Sequence, residues 1–270
     1  RVPLVGVTGT HGRNAVAKMV AHLIYLSGQQ GGLACKDGIY LGRRHVQKTD
    51  AANWEGGRRL LLNRSLQAAV IENGAPVILG EGLAYDRCSV GIVTNIVSAD
   101  EDLSRWDVQP TGGEYYTTPR SIYRTQVDVV LPSGHAVLNA EDELVADFAE
   151  LCDGEVIFFA VDPANPVLVA HLAAGKRGVT VADNRIVLRS GADETRLCRL
   201  VDAPYIGKAK QAKNIANVLA GIAAGWAMGL SQEVMTTGLK TFGLELADPA
   251  SLILQPAKKS QPKKPATARK

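Results

Sequence analysis

The segment that most constrains the fold is an apolar strand pattern followed at once by a glycine-rich turn and a helix pattern. Residues 4–7 are continuously apolar or glycine, as in a buried strand, and Thr8-Gly9-Thr10-His11-Gly12 follows them. Residues 16–24 then repeat apolar side chains at helical spacing, up to Gly28. Glycines let the backbone approach an anion, and the free N–H groups of a helix N-terminus point toward it. The segment therefore predicts a phosphate cradle or, alternatively, a tight turn without a nucleotide.

The two residues after the turn differ from those of a complete phosphate loop. Such a loop has Lys at position 13, which reaches the terminal phosphates, and Ser or Thr at position 14, which binds magnesium. This chain has Arg13 and Asn14. Arg13 keeps the positive charge, but a planar guanidinium does not replace an ammonium group atom for atom. Phosphate contact and a solvated cation at the helix start are both open interpretations of Arg13.

Strand and helix patterns alternate along the rest of the chain, which is typical of an α/β fold with a mostly parallel sheet flanked by helices. The predicted later strands are residues 68–72, 90–96, 127–131, 136–139 and 155–161. Helices are expected over residues 141–152 and 211–228, and from Ser231 onward. Asp183-Asn184 predicts a hairpin between residues 179–181 and 185–188.

The positive charge of the chain is concentrated at its end. The 270 residues have a formal net charge of +3, but residues 256–270 contain six basic residues and no acid. The other residues include 24 basic and 27 acidic side chains, so a nucleic-acid partner for the folded part is disfavoured. We expect one domain over residues 1–245 and a disordered Lys/Pro-rich tail over residues 246–270, with polyanion binding as the weaker interpretation of the tail.

Sequence composition also indicates the cellular compartment. Apolar runs are too short to span a bilayer and no secretory signal is visible, so we expect a cytoplasmic protein without a membrane partner. Four dispersed cysteines, without a CxxC pattern, are expected to be reduced thiols rather than disulfides or zinc ligands. The first residue is not Met, which indicates a piece of a longer chain.

Four further blocks, taken together with the glycine turn, resemble the Mur ligases and, among them, the cyanophycin synthetases. The blocks are DGIYLG at 37–42, GLAYDRC at 82–88, VGIVTNI at 90–96 and AVLNAED at 136–142. The similarity extends in order from about residue 2 to Phe242. It implies the central-domain (P-loop) fold of Mur ligases and a module that joins arginine to a polyaspartate backbone. In this chemistry ATP phosphorylates a carboxylate, and an amine attacks the acyl phosphate.

The resemblance also implies cofactors, partners and site residues. ATP and Mg²⁺ are the implied cofactors. The implied partners are the polyaspartate/arginine polymer or its precursors, an upstream ATP-grasp module in the same chain, and further copies in a homo-oligomer. Arg13 and Glu72 are assigned catalytic roles, and Asn14 and Glu72 the metal. The implied nucleotide-binding residues are Gly9, Thr10, His11, Gly12, Arg13, Asn14 and Asn217.

Several positions depart from the pattern of the family. Arg13 replaces the phosphate lysine, Asn14 replaces the magnesium hydroxyl, and Glu101 stands where a histidine is expected beside Asp100. The metal-site lysine expected before the Val127 strand is also missing from residues 119–126. After residue 243 the Lys/Pro-rich tail replaces a third lobe. The departures favour a degenerate, truncated copy that acts as a scaffold or polymer-holding domain; an active ATP-dependent ligase with an unusual loop is the alternative.

Overall fold

Eleven strands form one mixed sheet in the residues that the computed structural model describes, namely 2–96, 118–207 and 211–244. The strands are β1 (Leu4–Thr8), β2 (Gly31–Cys35), β3 (Gly38–Leu41), β4 (Arg44–Gln47), β5 (Ala68–Glu72), β6 (Cys88–Val93), β7 (Val130–Asn139), β8 (Glu155–Phe159), β9 (Arg177–Ala182), β10 (Arg185–Ser190) and β11 (Asp193–Arg199). Their order across the sheet is β11-β10-β9-β8-β7-β6-β1-β5-β2-β3-β4.

The seven central strands are parallel, and an antiparallel pair extends each side. β1 lies between β5 and β6, with Val7 opposite Glu72 on one side and Ile92 on the other. β3 and β4 continue the sheet beyond β2, and β10 and β11 continue it beyond β9. In parallel strands the carboxyl ends share one edge of the sheet, which is where α/β folds bind ligands. The ends of β1, β5 and β6 therefore meet below the glycine turn.

Helices cover both faces of this sheet. They are α1 (Arg13–Leu26), α2 (Trp54–Leu61), α3 (Ala75–Gly80), α4 (Pro119–Asp128), α5 (Glu143–Ala146), α6 (Pro166–Ala173), α7 (Gln211–Ala227) and α8 (Gln232–Thr241). On one face α1, α7 and α8 pack together, with Leu23, Leu219 and Leu239 in one buried cluster. On the other face Leu60 of α2 and Ile122 of α4 belong to two further buried clusters. Burial of apolar side chains on both faces explains the apolar runs of the central strands.

The fold class predicted from the sequence is confirmed, and most predicted elements are present. The hairpin forms with Asp183 and Asn184 at φ of 47° and 56°, the left-handed conformation that two-residue hairpin loops require. The last helix begins after Ser231, whose side-chain oxygen accepts the Val234 N–H.

Two predicted elements were wrong in part. The strand predicted over residues 127–131 instead starts at Val130 and runs to Asn139, because Val127 belongs to α4. Tyr123 and Val127 are both buried and lie four residues apart on one face of α4, which Pro119 and a Thr118–Ser121 capping box begin. The helix predicted over residues 141–152 is a short α5 followed by a 3-10 segment, Asp147–Leu151.

Some predictions fall on residues that the structure does not describe. Asp100, Glu101 and the tail over residues 246–270 lie outside the described residues. Within the described part, no helix has both the length and the apolar character needed to cross a membrane. All four cysteines are free; Cys35, Cys88 and Cys198 are buried, and burial raises the pKa of Cys88 to about 12.

Candidate functional site

The glycine turn connects the end of β1 to the start of α1, over the carboxyl edge of the sheet. Gly9 and Gly12 have φ of 133° and 83°, in the region that side chains rarely adopt. Gly12 is the residue before the first turn of α1, and no side chain caps that turn. The turn thus has the strand–turn–helix geometry that its sequence predicts.

Arg13 folds back into this turn instead of extending into solvent. Its Nη1 donates to the carbonyl oxygens of Gly9 and Thr10, at 3.1 Å each. Its Nε lies 3.0 Å from Oε1 of Glu72, the last residue of β5. The Arg13 side chain is 29% exposed and that of Glu72 is 1% exposed. The structure therefore favours neither of the two interpretations left open for Arg13, because its partners are loop carbonyls and a buried carboxylate.

Besides this ion pair, Glu72 accepts two hydrogen bonds through its other oxygen. Asn14 Nδ2 donates to Oε2 at 3.0 Å, and the backbone N–H of Lys36 donates to the same atom at 2.9 Å. Glu72 thus links α1, β5 and the turn after β2. A buried carboxylate needs such partners, since an uncompensated charge in the interior is costly.

These contacts decide whether the residues fit a magnesium ion. Mg²⁺ requires oxygen ligands, commonly one or two carboxylates. Here the Glu72 carboxylate is neutralised by a guanidinium, and Asn14 presents its amide nitrogen toward Glu72. Among the described residues no group of three or more His, Cys, Asp or Glu side chains could hold a metal ion. The arrangement does not fit Mg²⁺.

The backbone N–H groups of the turn are partly used within the protein. Thr10 N donates to the Asn95 carbonyl at 2.9 Å, and His11 N donates to Asn95 Oδ1 at 2.9 Å. The His11 carbonyl in turn accepts from Asn95 Nδ2 at 3.0 Å and Thr94 Oγ1 at 2.7 Å. In a phosphate cradle such N–H groups point at the anion. The turn therefore fits a nucleotide phosphate only in part, through the first turn of α1.

Asn217, predicted near the adenine of a nucleotide, lies on α7 directly against the turn. A Cβ atom added to Gly12 would overlap the Asn217 amide oxygen. Glycine at position 12 is therefore needed for this approach as well as for its positive φ. The structure brings six predicted residues around Arg13 into one cluster; they are Gly9, Thr10, His11, Gly12, Asn14 and Glu72, with Asn217 alongside.

A buried polar network below the site was missed by the sequence analysis. Asn73 Nδ2 donates to the Tyr85 hydroxyl at 2.8 Å and to Gln126 Oε1 at 3.0 Å, and Tyr85 Oη donates to Gln126 Oε1 at 2.9 Å. Burial raises the pKa of Tyr85, so this hydroxyl stays protonated. Gly6 of β1 leaves the space for it, since a Cβ there would overlap both Tyr85 and Gln126. The network links the end of β5, the loop before β6 and α4 through uncharged groups.

Sequence comparison finds relatives among amide-forming ligases, although no protein-family model matches the chain. Cyanophycin synthetase of Synechocystis sp. is 31% identical over 242 residues, which cover 90% of this chain and 27% of that protein. The UDP-N-acetylmuramoylalanine–D-glutamate ligase of Symbiobacterium thermophilum is 24% identical over 238 residues, 87% of this chain and 44% of the relative. The chain therefore spans only part of the length of the proteins it matches.

Solved structures agree on the fold. A UDP-N-acetylmuramoyl-L-alanyl-D-glutamate–2,6-diaminopimelate ligase superposes with a TM-score of 0.61 at 12% identity, covering 89% of this chain and 46% of that one. A pseudomurein peptide ligase type C from Methanothermus fervidus gives a TM-score of 0.55 at 16% identity, with 90% and 50% covered. The sequence relatives and the superposed structures agree, and we conclude that the chain is a Mur ligase-like module related to that of the cyanophycin synthetases.

Proposed function

We propose that this module belongs to an ATP-dependent amide ligase of the cyanophycin synthetase type and that this copy does not itself catalyse ligation. It would instead serve as a scaffold or polymer-holding domain. An ATP-grasp module upstream in the same chain would act on the polyaspartate/arginine polymer or its precursors. A cytoplasmic location and assembly into a homo-oligomer remain predictions from the sequence.

One observation carries this proposal: the Arg13 guanidinium occupies the turn and pairs with Glu72 at 3.0 Å. ATP-dependent ligation needs a positioned phosphate chain and a metal ion to stabilise charge in the transition state. Here the carboxylate assigned to the metal is held by a cation of the chain itself. Removal of a single charge-stabilising group commonly lowers catalysis about 100- to 1,000-fold, so several altered groups together argue against turnover.

ATP and Mg²⁺, the cofactors of the family, would fit this site to different extents. The first turn of α1 has no side-chain cap, and it keeps the helix-end geometry that favours anions. Weak binding of the nucleotide phosphates there is compatible with the proposal. A magnesium ion would first require Glu72 to exchange Arg13 and Asn14 for the metal.

The direct test is phosphate release by the purified 270-residue chain, without the proposed upstream ATP-grasp module. It is supplied with Mg-ATP, arginine and an aspartate-rich acceptor, and Glu72→Gln serves as the matched variant. We expect release at the background rate from both proteins. Turnover by the wild-type chain that Glu72→Gln abolishes would overturn the proposal and support the active ligase with an unusual loop.

A further inference from the structure

Positive charge in residues 1–255 is concentrated between residues 36 and 64. This segment contains seven Lys and Arg side chains and three acidic ones, a net charge of +4. The other residues up to 255 include 17 basic and 24 acidic side chains, a net charge of −7. The segment contains β3, β4 and α2, so its charge lies at one end of the sheet.

These cations are exposed, and they lie on both sides of β4. Arg44 begins β4 and Lys48 follows it. Arg43, in the turn before β4, lies over the Tyr25 ring of α1 at 4.5 Å. Arg59 of α2 donates to Gln47 Oε1 of β4 at 2.6 Å. Because α1 and α2 pack on opposite faces of the sheet, positive charge borders β4 from both faces.

The acidic residues of the segment neutralise little of this charge. Asp37 pairs with Lys18 of α1, outside the segment. Asp50 Oδ1 accepts the backbone N–H of Ala52 at 2.9 Å. Glu55 pairs with one cation of the segment, Arg59, at 3.3 Å. The end of the sheet at β4 therefore keeps an excess of positive charge.

β4 is also the last strand of the sheet among the described residues, paired with β3 on one side. Such an edge strand presents backbone N–H and C=O groups that a further extended chain can pair with. A nucleic acid would satisfy the cations but has no peptide groups to pair with this edge. Side chains of an added strand alternate between the two faces, so acidic residues along such a strand would face cations on both faces of the sheet.

We propose that the β4 edge, defined here as β4 with Arg43, Lys48 and Arg59, binds an extended acidic polypeptide as an added strand. The inference rests on the proposed function, in which the module holds a polymer. It does not depend on the state of Arg13 and Glu72, which lie at the carboxyl edge of β1 and β5. The polypeptide chemistry required is a run of carboxylate side chains on an extended backbone.

The test uses fluorescein-labelled poly-L-glutamate, titrated with the full chain in low salt without nucleotide and followed by anisotropy. Arg44→Glu/Lys48→Glu reverses two exposed charges at the edge, and Lys263→Glu/Lys264→Glu makes the same change in the tail. We expect salt-sensitive binding that the first variant weakens about tenfold or more and the second leaves within about twofold. Bound poly-L-glutamate should also slow hydrogen exchange at the amides of residues 44–47.

Three results would overturn the inference. These are weakening by the tail variant alone, unchanged exchange at residues 44–47, and tighter binding of single-stranded DNA of equal charge. The phosphate-release assay is independent of these measurements. Turnover would overturn the proposed function and leave poly-L-glutamate binding intact, whereas lost binding with no turnover would overturn only the β4 edge inference.

Discussion

Arg13 Nε lies 3.0 Å from Oε1 of Glu72, and this ion pair joins the first helix to the strand beside β1. The guanidinium also donates to two carbonyls of the glycine turn. A cation of the chain thus holds together the turn, the helix start and the end of β5. Removal of the Arg13 cation should therefore lower the free energy of unfolding. Removal of a purely catalytic group would leave that free energy unchanged.

Arg13→Met should destabilise the protein by about 3 kcal/mol, because Glu72 would remain buried without its cation. Urea denaturation gives the free energy of unfolding. Arg64→Met, which removes an exposed arginine from the loop after α2, should change it by less than about 0.5 kcal/mol. The double variant Arg13→Met/Glu72→Gln should recover most of the loss. A double variant as unstable as Arg13→Met alone would contradict the ion-pair explanation.

Arg13→Lys/Asn14→Thr should raise the affinity for Mg-ATP about tenfold or more, since it frees Glu72 and supplies the lysine and hydroxyl of a phosphate loop. Calorimetric titration measures the affinity, and phosphate release should stay at background. Adding Glu72→Gln to this variant should remove the dependence on Mg²⁺. Equal affinities for the wild type and the first variant would show that Arg13 does not block the site.

Gly12→Ala should destabilise the fold more than Gly28→Ala. Both glycines have nearly the same positive φ, 83° and 81°, so both substitutions carry a similar backbone cost of about 1–2 kcal/mol. A Cβ at Gly12 also meets the Asn217 amide, whereas nothing lies within 4 Å of one at Gly28. Thermal unfolding of the two variants measures the difference. Equal losses would mean that Asn217 can move away freely.

Stability should fall as the pH drops below about 6.5, the ordinary pKa of histidine. Burial lowers the pKa of His171, whose Nε2 donates to the Val156 carbonyl at 3.1 Å, and burial also lowers that of His135. The unfolded chain therefore binds protons first, and the folded state loses stability until the folded pKa values are passed. Unfolding of His171→Gln, compared with the wild type between pH 5 and 7, should show a shallower slope. An identical slope would show that protonation of His171 does not cause the loss of stability at low pH.

Local patterns were sufficient to predict the elements that carry the site. β1, the glycine turn and α1 are contiguous, so their apolar spacing and glycines specify them without help from distant residues. Asp183-Asn184 predicted its hairpin for the same reason, because the left-handed conformation is a property of the turn itself. β3 and β4 were missed, since such short strands are specified mainly by pairing, of β3 with β2 and of β4 with β3.

From the sequence alone, the glycine turn together with the resemblance to the Mur ligases predicted that Arg13 and Glu72 belong to one candidate site. The tertiary structure alone decided what they do to each other. The parallel register of β1 and β5 places Glu72 opposite Val7, below the turn, where burial makes a nearby cation necessary. Arg13 supplies that cation, and the pairing depends on a strand register that neither residue's sequence neighbours encode.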